Sequence, residues 1–69
     1  MKRYKITYMK NPNDTSSYFE DYVEADYYML EADRVVTFWV VREDGPNYSI
    51  RIKTYFYPIL IEGVGNANL

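Results

Sequence analysis

The run Val35-Val36-Thr37-Phe38-Trp39-Val40-Val41 decides how this chain folds. Every residue in it is β-branched or aromatic, the types that pack best on a pleated surface. Apolar side chains fall on both of its faces, which places the run in the middle of a sheet rather than at a rim. Glu43-Asp44-Gly45-Pro46-Asn47 follows as a turn, and Tyr48 to Tyr57 resumes with strict alternation. That alternation predicts Ile50, Ile52 and Phe56 toward the core and Arg51, Lys53, Tyr55 and Tyr57 outward. Phe38, Val40, Ile50 and Ile52 are therefore the expected core residues of two facing strands. Pro58 interrupts the pattern, Ile59-Leu60-Ile61 makes a short last strand, and residues 63–69 read as a flexible tail after a single domain over 1–62.

Toward the N-terminus, Glu31-Ala32-Asp33-Arg34 reads as a tight turn. Residues 18–30 carry two patterns at once. As a strand, Phe19, Val23, Ala25, Tyr27 and Met29 share one face and Glu20, Glu24 and Asp26 the other. As a helix, Ser17 and Glu20 make a capping box, and Phe19, Tyr22, Val23, Tyr27 and Leu30 line one side. The tyrosines and the valine favour the strand, while Glu, Ala, Met and Leu favour the helix. Asn11-Pro12-Asn13-Asp14-Thr15-Ser16-Ser17 is a loop of turn formers. Before it, Tyr4, Ile6 and Tyr8 alternate with Arg3, Lys5 and Thr7, the period of a half-buried strand. The expected fold is all-β: a small antiparallel meander of five or six strands, an SH3-like or half-open barrel. An α+β fold with a helix at about 18–31 is the alternative.

Composition narrows the chemistry. With 69 residues, one modest core is expected, and chains of this size usually net only ~3–5 kcal/mol from it. Cysteine and histidine are both absent, so no disulfide can form and the common zinc sites lack ligands. The usual general base, the activated thiol and the Ser-His nucleophile are missing for the same reason. No enzyme activity, metal or cofactor is expected. Asn11, Asn13 and Asp14 suggest half a calcium loop without its downstream glutamate, and an Asx turn explains them better. Gly63-Val64-Gly65 is not followed by a helix pattern, so a phosphate loop is not supported. No apolar run reaches the ~20 residues of a membrane span, and the basic N-terminus is not followed by a signal-peptide core. A soluble, cytoplasmic protein without membrane contact is the expectation.

Three short stretches, Ala25-Asp26-Tyr27-Tyr28, Val35 to Phe38 and Ile59 to Glu62, give about half the chain a layout that resembles small uncharacterised β proteins of phages and their bacterial hosts. The resemblance implies a phage or mobile-element origin and an extended conformation for 18–30. It supplies no catalytic residues.

Charge order is the informative functional feature. From Asp14 to Asp33 the acids are Asp14, Glu20, Asp21, Glu24, Asp26, Glu31 and Asp33 with no Lys or Arg between them, whereas Lys2, Arg3, Lys5 and Lys10 sit in the first ten residues. A net charge of −2 thus covers a bipolar chain. Adjacent strands could cancel one another through cross-strand pairs. Alternatively, Glu20, Tyr22, Glu24, Asp26 and Tyr28 form an acidic, tyrosine-bearing face for a host protein with a basic surface. A third reading makes Arg51, Lys53, Tyr55 and Tyr57 a platform for single-stranded nucleic acid, against which stands a pI near 4.9. Long strands over a thin core also suit a structural subunit that pairs its edges into a homo-oligomer.

Overall fold

The computed structural model describes residues 1–14, 16–32 and 34–66. It is all-β, with strands β1 (Lys2–Met9), β2 (Tyr18–Ala25), β3 (Tyr27–Ala32), β4 (Val35–Arg42), β5 (Tyr48–Phe56) and β6 (Pro58–Asn66). Among the described residues they form two three-stranded antiparallel sheets, ordered β2-β1-β6 and β3-β4-β5, and no closed barrel. Residues 18–32 are extended, so the helical alternative is not adopted. The doubly apolar run is the central strand of its sheet, as its composition requires. The tight turn expected at 31–34 falls partly on Asp33, which lies outside the described residues, and β3 itself runs to Ala32.

Two long segments carry the chain from one sheet to the other. β2 passes into β3 at Asp26, whose amide donates to the Trp39 carbonyl at 2.9 Å. β5 passes into β6 at Tyr57, whose amide donates to the Arg34 carbonyl at 2.8 Å and whose carbonyl accepts from the Met9 amide at 3.0 Å. Tyr57 takes a left-handed backbone, φ 60°, which costs a non-glycine residue about 1 kcal/mol, and these two hydrogen bonds hold it there. Such corners, where strands switch sheets through bends, are how two small sheets share a core.

That core is aromatic and thin. Tyr4, Ile6, Val23 and Ala25 of the first sheet pack with Val36, Phe38 and Tyr55 of the second, and Tyr8 and Ile61 lean against them. Phe38 sits at its centre, its ring 5.6 Å from Tyr4, 5.8 Å from Tyr28 and 5.8 Å from Tyr55. Offset and edge-on ring contacts of this kind add to the burial of area itself. β1 turns Tyr4, Ile6 and Tyr8 inward, as its alternation predicts.

β5 does not follow its simple alternation. The β4–β5 register shifts between Phe38 and Trp39, so that Lys53 faces Phe38 and Arg51 faces Trp39, with Ile52 left over as a bulge. An extra residue reverses which side chains point inward beyond it. The result corrects the expected core: Val36 pairs with Tyr55, Tyr55 is buried, and Phe56 is exposed. Phe38 and Val40 are buried as expected, whereas Ile50 and Ile52 remain 37% and 42% exposed. β6 differs too, continuing to Asn66 against β1 through residues 63–66 that read as tail. Residues 67–69 lie outside the described residues.

A stability series checks this arrangement. Phe38→Ala and Ile6→Ala should each cost about 2–5 kcal/mol, enough to unfold so small a domain at room temperature. Ile52→Ala should cost less than about 1 kcal/mol. Thermal melts followed by far-UV circular dichroism separate the cases, and an Ile52→Ala variant as damaged as Phe38→Ala would contradict the bulge.

Candidate functional site

The outer face of the first sheet is built from β2 and β1. With Val23 and Ala25 turned into the core, Tyr18, Glu20, Tyr22 and Glu24 must point to solvent, and all four are exposed. Tyr18 is 58% and Tyr22 53% exposed. In register, Arg3 lies opposite Glu24, Lys5 opposite Tyr22, and Lys5 opposite Glu62 on the other side. The Lys5 ammonium reaches diagonally to Glu20 Oε2 at 2.9 Å, and the Arg3 guanidinium lies 5.1 Å from the centre of the Tyr22 ring. The hydrogen bond to Glu20 and the charge behind it raise the Lys5 pKa above its ordinary value. Cross-strand pairing therefore neutralises part of the acidic row, and the face becomes a mixed patch of tyrosine rings, carboxylates and cations.

Asp26 and Tyr28 do not join it. Asp26 stands at the corner between β2 and β3, where its Oδ2 accepts the Val41 amide at 2.7 Å. Because it is no longer a ladder residue, the facing of the chain reverses after it. Tyr28 then pairs with Phe38 and turns inward, its ring edge-on to Tyr4 at 5.4 Å. Tyr27 goes to the outer side and stacks parallel to Trp39, with centroids 6.3 Å apart. Trp39 Nε1 donates to Thr37 Oγ1 at 2.8 Å, and the Thr37 hydroxyl donates to Glu31 Oε1 at 3.0 Å. This chain of partners satisfies Thr37, a polar residue that is 1% exposed.

The four residues expected as a nucleic-acid platform are not coplanar. Tyr55 is in the core, Tyr57 is at the β5–β6 corner, and the bulge sets Arg51 and Lys53 on opposite faces. Asn11, Asn13 and Asp14 form the anticipated Asx turns: Asn11 Oδ1 accepts the Asn13 amide at 3.0 Å, and Asp14 Oδ1 accepts the Ser16 hydroxyl at 2.7 Å. The Ser16 hydroxyl and amide hold the Asp14 carboxyl below its ordinary range.

No local pattern singles out Asp21. It lies on the inner side of β2, and its Oδ2 accepts the Tyr55 hydroxyl at 2.6 Å, tying the edge of one sheet to the edge of the other. Its Oδ1 also accepts the Tyr22 amide at 2.9 Å. Beside this bond an open cleft of about 430 Å³ is lined by Tyr8, Met9, Phe19, Thr54, Tyr55 and Phe56, with Lys10 at its rim. Its lining combines four aromatic rings with Met9, Thr54 and the cationic Lys10. Among the described residues there is no group of three or more side chains that could hold a metal ion, and no helix is long and apolar enough to cross a membrane. Comparison with known protein families, with curated proteins and with solved structures finds no match.

The Asp21–Tyr55 bond makes stability depend on pH at both ends. The Tyr55 hydroxyl lowers the Asp21 pKa, so the stabilisation is present above the ordinary carboxylate range and fades as pH falls through the folded-state value. Burial, then hydrogen bonding to Asp21, raises the Tyr55 pKa, so its share is present below the ordinary tyrosine value near 10 and fades as pH rises beyond it. Wild-type Tm should fall below pH ~4 and above pH ~10. Tyr55→Phe should lower the plateau by about 1–3 kcal/mol and flatten both limbs, because it leaves Asp21 short of a donor. An unchanged acid limb in Asp21→Asn would show that other carboxylates set it.

Proposed function

We propose that this chain is a non-enzymatic interaction module whose outer β2-β1-β6 face binds a protein partner with a basic surface. The observation that carries the reading is the pair Tyr18 and Tyr22, each more than half exposed, on a strand that also projects Glu20 and Glu24. Tyrosine offers a large, stiff contact surface with few torsions to freeze, which is why it dominates binding energy at many interfaces. Arg3 already restrains the Tyr22 ring. Glu20 is engaged by Lys5, so Glu24 is the carboxylate of this row without an ion pair of that kind. The carboxylates would set approach and orientation, and the rings would hold the bound state. In the setting that the resemblance to phage proteins implies, the partner belongs to the host and is met in its cytoplasm.

The test is kinetic. Once a partner captured with the wild-type chain has been purified, Tyr22→Ala should weaken it about tenfold or more through faster dissociation. Glu24→Gln should slow association and flatten its salt dependence, with the melting temperature unchanged. Rates unaltered in both variants would remove this face from the interaction.

A further inference from the structure

One side of the molecule combines an apolar opening with two edges of opposite charge. β2 is an edge of the first sheet and β5 an edge of the second, and the Tyr55–Asp21 bond and the shared cleft put them on the same side. β2 carries Glu20, Asp21 and Glu24 and no cation, while β5 carries Arg51 and Lys53 and no acid. Phe19, Ile52 and Phe56 stand exposed along these two strands. An unpaired edge bearing exposed apolar residues is a template for another strand.

We propose that two copies of this chain join reciprocally on that side, β2 of each extending the β5 edge of the other. Charge selects the arrangement. Symmetric pairing of β2 with β2, or of β5 with β5, would set like charges against each other, whereas β2 against β5 brings Glu24, the outer-face carboxylate that Lys5 does not engage, to the edge that carries Arg51 on its outer face, once in each of the two contacts. A two-fold axis between the sheets makes both contacts at once, so the assembly closes at two copies. The opposite side offers no such match, since β3 and β6 carry Glu31 and Glu62 and no cation. Disulfides are absent, which leaves association as a support for a thin core.

Sedimentation velocity at micromolar concentration should give twice the 8.3 kDa chain mass. The dissociation constant should rise at least about tenfold as salt is raised through the range where surface charges are screened. Arg51→Glu/Lys53→Glu and Glu20→Lys/Glu24→Lys should each sediment as single chains, and an equimolar mixture of the two should recover the double mass. Leu30→Asp/Leu60→Asp, on the opposite side, should leave the dimer intact. Glu24→Lys sets a lysine opposite Arg3 and Glu20→Lys replaces the Lys5 ion pair with a like charge, so folding of that variant is checked by circular dichroism. If folding fails, the β5 variant and the salt series decide alone. A wild type at single-chain mass, a dimer that survives reversal of Arg51 and Lys53, one that dissociates with Leu30→Asp/Leu60→Asp, or growth beyond two copies would each overturn the proposal. The β5 variant leaves Tyr18, Tyr22 and Glu24 untouched, so loss of the dimer is distinguishable from loss of the partner-binding face.

Discussion

The departure of Asp26 from the strand ladder is the constraint on which the rest of the molecule depends. Its amide and its carboxylate are both committed to β4, through Trp39 and Val41, so the chain must leave the first sheet there and enter the second. Every side chain after it is consequently turned over relative to those before. That single reversal sets the Tyr28 ring against Tyr4 and Phe38 at the edge of the core, where 40% of it stays exposed, and sends Tyr27 onto Trp39. It also limits the exposed acidic row to the part of the chain before the corner.

A core this thin is held by rings at oblique angles rather than by stacked aliphatic layers. Tyr4, Tyr28 and Tyr55 surround Phe38, and the tyrosines do what phenylalanine could not. Tyr55 buries its ring while its hydroxyl reaches Asp21 across the gap between sheets. Apolar packing and a directional polar link thus arise from one residue, and the link fixes how the two sheets meet.

The strands themselves were legible in the sequence because each carries a strong local signal. The doubly apolar run at 35–41 and the alternation at 3–9 report burial directly, and both occupy central positions. Residues 18–32 were resolved by tertiary pairing, which gives β2 a partner in β1 and β3 a partner in β4. Facing was less legible. A bulge at Ile52 and a corner at Asp26 each add one residue to a period of two, and nothing in the composition of either segment marks the slip. Each slip broke up an expected set of site residues: Asp26 and Tyr28 parted from Glu20, Tyr22 and Glu24, and Arg51 parted from Lys53 and Tyr55. Pairing also carried β6 through Gly63 and Gly65, residues that alone suggest a loose end.

The return of β6 to lie beside β1 sets an order of events in folding. The β4–β5 hairpin closes over a short turn at Gly45, where the positive φ suits glycine, and β3 joins it from the adjacent segment. β1 and β2 can pair early across the 10–17 loop. The other edge of β1 has no partner until a segment some fifty positions later has been made, and contacts of that separation form slowly because a large loop must be closed first. During synthesis β1 therefore waits with one edge bare. Its outward Arg3 and Lys5 give that waiting strand the charged side chains that discourage capture by a passing neighbour.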